Sequence, residues 1–155
     1  MYMRSHTLSI RLGIIALVAT LAVGGCKADI TGPASELATA RARWAMVGPA
    51  SYSVVVSRSC ECLEAAVGPV LVSVRNGVAQ SRQYTRTGAP VDASRGDWFP
   101  TVEGLFAVIE AAIRDGIQPM DIQYDPALGY PTRVFIGETA SDGGEAYLAR
   151  DIIAQ

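Results

Sequence analysis

Apolar and polar positions change rhythm several times along the chain, and each rhythm predicts an element. Ser35 is placed to cap a helix through about Val47, since Leu37, Ala40, Trp44 and Val47 recur at steps of three and four; Gly48 and Pro49 then stop it. From Ser51 to Cys60 the period drops to two, with Tyr52, Val54 and Val56 on one side and mostly serines on the other, which predicts a half-buried strand. Val70, Val72 and Val74 alternate in the same way, and Asn76-Gly77 leads into Val78 to Tyr84. Asn-Gly supplies two residues that tolerate positive φ, so these runs form a hairpin. Residues 85 to 97 have no period and predict a surface loop. Thr101 caps a second helix, whose apolar side is Val102, Leu105, Phe106, Ile109, Ala112 and Ile113, ending at Gly116. Met120, Ile122 and Tyr124 alternate with polar residues. After the turn Asp125 to Pro131 comes the apolar run Thr132 to Ile136, so the two predict a second hairpin. Glu145 to Ile153 fits a strand or a short helix, and the Ser-Asp-Gly-Gly turn before it favours the strand.

The order is therefore α-βββ-α-βββ. Hairpins with helices on one side define an α+β fold, a two-layer sandwich with a mainly antiparallel sheet of about six strands and two helices. The matching halves suggest a degenerate duplication, although residues do not match between them. The serines of the first strand, with Ser73, Arg75, Gln123 and Arg133, are expected on the uncovered sheet face, which faces solvent or a partner.

The densest apolar stretch lies outside this pattern. Met1 to Arg11 carries Arg4 and Arg11 and no acid, and Leu12 to Val23 is continuously apolar or small. As a helix those residues would span about 18 Å, too short for a hydrocarbon core of about 30 Å. They read instead as the apolar region of a signal peptide. The run Val23-Gly24-Gly25-Cys26 resembles the bacterial lipobox, in which the cysteine is diacylated and becomes the first residue of the mature chain. The plain alternative is an ordinary secretory signal with an incidental cysteine. Two or three acyl chains hold a protein to a bilayer effectively permanently, at about 0.8 kcal/mol per buried CH₂, whereas one chain dissociates. The expected organisation is a lipoprotein signal peptide over 1–25, a lipidated Cys26 with a tether over 26–33, and one α+β domain over 34–155. Lys27 stands where an Asp would favour the inner membrane in some bacteria, so the expected location is the periplasmic side of the outer membrane where the cell has one.

Composition narrows the chemistry. Of 155 residues half are hydrophobic, and all 15 acidic residues lie after Cys26 against 11 basic ones, a net charge of −4 for residues 26–155. That balance argues against a nucleic-acid partner. The one histidine, His6, lies in the expected signal peptide. With it gone, Ser-His-Asp and Cys-His catalysis and His-ligated metals are excluded, and no cofactor is implied beyond the covalent acyl lipid, palmitate among its chains.

A wider set of residues carries a resemblance. Trp44, Gly48, Ser51-Tyr52, Arg58, Cys60 and Cys62, then Asn76-Gly77, Phe99-Pro-Thr-Val102, Leu105-Phe106, Tyr124-Asp-Pro and Leu128-Gly-Tyr-Pro131 together resemble the uncharacterised bacterial lipoproteins classed as domain of unknown function 6174. The resemblance spans roughly residues 36 to 153. It implies a place in the cell envelope and no established activity. Members often have an aromatic between the two cysteines, where this chain has Glu61.

Candidate sites are few. Cys60 and Cys62 would be the only free thiols after lipidation, and export places them in an oxidising compartment, where a disulfide closing a small ring is expected. Cα atoms two apart in an extended strand are separated by about 6.6 Å, near the limit for a disulfide, so a turn or bulge must shorten the gap. The alternatives are a free pair or a thiol-disulfide exchange site in which Arg58 lowers a thiol pKa. Asp121 and Asp125 are four apart and can pass for an acid/base pair, although alternating acids are usually the wet side of a strand. Tyr124, Tyr130 and Leu128 form a recognition edge, with Asp125 and Arg58 on the same candidate interaction surface, or else Pro126, Gly129 and Pro131 shape the turn while the tyrosines pack over the core. Trp44 and Trp98 read as core and loop-covering residues. The expected function is a lipid-anchored, non-catalytic envelope module that binds a protein or other ligand, with a redox-active protein using Cys60 and Cys62 as the alternative.

Overall fold

The computed structural model describes residues 32–59, 66–137 and 144–155. Within them a helix α1 (Pro33–Val47) leads into three strands, β1 (Tyr52–Ser59), β2 (Val70–Arg75) and β3 (Val78–Tyr84). A 3₁₀ turn (Ala93–Trp98) and a helix α2 (Val102–Arg114) follow, then β4 (Met120–Tyr124), β5 (Pro131–Ile136) and β6 (Glu145–Ala154). The strands form one antiparallel sheet in the order β3-β2-β1-β6-β5-β4. This is the α+β class expected, and the last segment is a strand.

Alternation decides which face is covered. Val54 of β1 stands opposite Val72 of β2, and Val56 opposite Ala149 of β6. Opposed residues project to the same side of a sheet, so Tyr52, Val54, Val56, Val70, Val72, Val74, Val134 and Ala149 form one apolar floor. Both helices lie on it, α1 through Leu37, Ala40 and Trp44, and α2 through Val102, Leu105, Phe106, Ile109 and Ala112. At α2 the Thr101 hydroxyl accepts a hydrogen bond from Gly104 N–H at 3.2 Å. Such a cap is worth about 1 kcal/mol, against roughly 1.5–3 kcal/mol for each large side chain buried, so packing holds α2 while the cap sets where it starts.

Three expectations are corrected. Ser35 does not cap α1: the helix starts at Pro33, and both Ser35 and Glu36 N–H groups bond to the Gly32 carbonyl, at 2.9 and 3.1 Å. Proline fits this first position because its fixed φ is already helical and its missing N–H would have no helical acceptor. Val47 is 53% exposed: it is the last residue of α1, and the buried stripe ends one turn earlier, at Trp44. Residues 85–97 are more than a loop. Asp92 accepts from Ser94 N–H at 2.8 Å and caps the 3₁₀ turn, which is too short to display a period. Just before it, Tyr84 N–H reaches the Ala89 carbonyl and Val91 N–H the Arg82 carbonyl, each at 2.9 Å, so residues 89–91 shield the outer edge of β3.

The duplication is not a structural one. With both helices on one face, a two-fold axis through the sheet would put β1 beside β4, or β3 beside β6, at its centre. The centre instead pairs β1, first of its set, with β6, last of its set.

The Asn76-Gly77 turn takes the two positive φ values expected, 50° and 74°. Gly129, between β4 and β5, has φ 84°, and a Cβ there would lie 2.5 Å from the Ala40 carbonyl oxygen of α1. A Gly129→Ala variant should lose about 2–4 kcal/mol through backbone strain and this overlap, measured by urea denaturation. A loss below about 1 kcal/mol would mean that the turn does not press on α1.

Candidate functional site

Asp125 organises the β4–β5 turn. Its Oδ1 accepts from the N–H groups of Ala127 and Leu128 at 2.9 and 2.7 Å, while its own N–H donates to the Tyr130 carbonyl at 2.8 Å. Gly129 N–H donates to the Asp125 carbonyl, also at 2.8 Å. Tyr130 is buried, with its ring edge-on to Trp44 at 6.2 Å. Asp125 and Tyr130 therefore build the turn and seat it on α1. Tyr124 and Asp125, but not Tyr130, border a groove of about 290 Å³ whose other walls include Ser35, Glu36, Thr39 and Arg43. Arg43 donates to the Pro126 carbonyl across the groove's end. Burial, reinforced by the Glu36 carboxylate, pushes the Tyr124 phenol up to about 12.

Asp121 and Asp125 are not brought together as an acid/base pair. The strand ends at Tyr124, so Asp125 turns into the backbone of its own loop, while Asp121 on the open face pairs with Arg133 at 2.9 Å.

Arg58 closes the end of β1. Its guanidinium pairs with Glu145 of β6, whose same oxygen accepts the Tyr147 hydroxyl at 2.7 Å. The guanidinium also lies over Trp98, 6.0 Å from the ring centroid, and Arg95 flanks that ring at 5.4 Å. Burial first, then the Glu145 charge, raises the Tyr147 phenol above its ordinary range. Cys26, Cys60 and Cys62 themselves lie outside the described residues.

A third cluster joins both helices to the sheet. One oxygen of Glu103, in the first turn of α2, accepts from the Trp44 indole N–H at 3.0 Å, and the other accepts from the Tyr52 hydroxyl at 2.7 Å. The Tyr52 oxygen in turn accepts from Val102 N–H at 3.0 Å. The Trp44 and Tyr52 rings meet edge-on at 5.3 Å. Tyr52 is fully buried; burial foremost, with the adjacent Glu103 carboxylate, raises its phenol well above its usual value. Glu103, Glu145 and Tyr147 did not stand out in the sequence. Their partners are 51 to 87 residues distant, apart from the Glu145–Tyr147 pair, so no local spacing announces them.

Among the described residues no three His, Cys, Asp or Glu side chains converge as metal ligands. The model of the family of unknown function DUF6174 matches residues 36–154, and the chain belongs to that family. No curated protein and no solved structure matches it.

Replacing Glu103 by Ala should cost about 2–3 kcal/mol in chemical denaturation, because Trp44 and Tyr52 lose a charged acceptor; Glu103→Gln, which keeps one carbonyl oxygen, should cost less. Equal costs would contradict the bridging role.

Alkaline titration gives a second check. A phenol whose folded pKa lies above its unfolded value of 10.0 stabilises the fold fully below pH 10, and that contribution is lost as pH rises through the folded pKa. Tm should therefore fall between pH 10 and 12, and less steeply in Tyr124→Phe. An identical slope in the variant would contradict the burial of Tyr124.

Proposed function

We propose that this chain is an exported lipoprotein whose single α+β domain is held to a cell-envelope membrane by acyl chains on Cys26 and acts by binding rather than by catalysis. The observation that carries the reading is Val23-Gly24-Gly25-Cys26 closing an apolar run that follows two arginines. Its position supports it too, since the first helix among the described residues begins at Pro33, at the end of the expected tether over 26–33. The domain's best-placed ionised groups favour a binding role. Glu103, Glu145 and Asp125 each hold structural donors at short range, an arrangement that fixes elements and leaves no free base or nucleophile on those side chains. The partner is an envelope protein or another envelope ligand, and nucleic acid is disfavoured by the net charge of residues 26–155.

Metabolic labelling with palmitate, followed by intact-mass measurement of the full product, tests the reading. The expected product begins at Cys26 and carries a diacylglycerol, and Cys26→Ser abolishes both label and membrane attachment. An unmodified polypeptide beginning at Met1 would overturn it.

A further inference from the structure

The two faces of the sheet differ in what they offer. Opposite the helices, the register aligns Gln123, Arg133, Leu148 and Ser57 in one row and Ser81, Ser73, Ser53 and Ile153 in another. Six large apolar side chains are exposed among the described residues, and three of them, Val78, Leu148 and Ile153, project from this face. Partly buried Val55, Leu71 and Phe135 fill the space between.

Among the described residues, the strand charges projecting from the same face are Arg75, Arg133, Arg150 and one acid, Asp121. Arg133 pairs with Asp121, Arg150 lies 3.7 Å from its neighbour Asp151, and Arg75 has no ionic partner among the described residues. With Asp121 and Asp151 set against Arg133 and Arg150, these residues keep one net positive charge, at Arg75, on a chain of net negative charge, and that charge points to an anionic counterpart.

The tether says which counterpart is within reach. The first turns of α1 border Tyr124 and Asp125 at the end of edge strand β4. Seven Cα steps from Cys26 to Pro33 extend to about 24 Å, while packed layers are about 10 Å apart. The plane of the open face, past the β4 edge, is therefore within the reach of an acyl group on Cys26.

We propose that the open face of the sheet lies on the anionic leaflet of the bilayer that holds the protein's own acyl chains. Arg75, Arg133 and Arg150 meet lipid phosphates, and Leu148 and Ile153 enter the boundary between headgroups and acyl chains. The proposal rests on lipidation at Cys26. Each basic side chain near an anionic surface contributes only about 1 kcal/mol, too little for a free domain. A short tether supplies an effective concentration in the millimolar range, at which such a weak contact is populated. The helix side and its groove beside Tyr124 then face away from the membrane.

The test uses the full lipidated protein with a benzophenone amino acid introduced at Leu148, at Ile153 or, as a control on the outer side of α2, at Ala107. The protein is reconstituted into vesicles of phosphatidylethanolamine and phosphatidylglycerol and irradiated. The expected result is phospholipid adducts at positions 148 and 153 exceeding those at 107 by roughly tenfold, with the excess lost in the triple variant Arg75→Gln/Arg133→Gln/Arg150→Gln and in phosphatidylcholine vesicles. Equal lipid labelling at all three positions, or adducts at 148 and 153 with a second copy of the chain, would overturn the proposal. Intact mass and vesicle flotation report attachment separately: lipidated protein that floats but labels equally refutes the docking alone, whereas protein without lipid mass refutes the anchor beneath it.

Discussion

The carboxylate of Glu103 is the constraint from which the arrangement of this domain follows. Tyr52 sits on the central strand β1 with no exposed surface, and its hydroxyl needs partners within the protein, because an unpaired buried donor costs more than the bond is worth. Val102 N–H opens α2, where helix N–H groups lack helical acceptors. The Trp44 indole brings a third donor from α1. One phenol oxygen and one carboxylate satisfy all three, and in doing so they fix both helices against the same strand. Glu103 itself stays near the surface, so its charge keeps part of its hydration and the junction avoids the full penalty of a buried ion. Its place in the first turn of α2 adds a favourable interaction with the helix dipole.

The same solution recurs at the far end of β1, where Glu145 of β6 holds Arg58 and Tyr147. Between them the two carboxylates join α1, α2, β1 and β6. Asp125 does the equivalent work inside one turn, and Gly129 lets that turn press on α1 where any side chain would collide. Among the described residues, Glu103, Glu145, Arg58 and Asp125 are occupied with joining elements. Two surfaces of the described residues stay open to the surroundings: the groove beside Tyr124, and the partly apolar face of the sheet.

Elements dominated by local pattern were legible in the sequence. The valine alternation of β1 and β2, the Asn-Gly hairpin and the apolar stripe of α2 each contain their own reason for folding, and each is where the pattern puts it. Ser35 misled because a proline two residues earlier, preceded by glycine, starts the helix without a side-chain cap. Residues 93–98 gave no signal because six residues of 3₁₀ turn have no room for a period. The candidate residues divide along the same line. The turn-shaping role of Pro126 and Gly129 follows from adjacent residues and was anticipated, whereas that of Asp125 was not. The pairing of Arg58 with Glu145, and of Glu103 with Trp44 and Tyr52, depends on which strands become neighbours, and only the folded sheet brings them together.

The measurement that bears most directly on this account is hydrogen exchange at the Trp44 indole N–H, followed by NMR beside the backbone amides of β1. If the Glu103 junction holds the helices to the sheet, that proton exchanges only when the whole domain unfolds, at the rate of the slowest β1 amides. Exchange of the indole near the solvent rate while the β1 amides stay protected would show that the helices are held by apolar packing alone, and would contradict the central role given to Glu103.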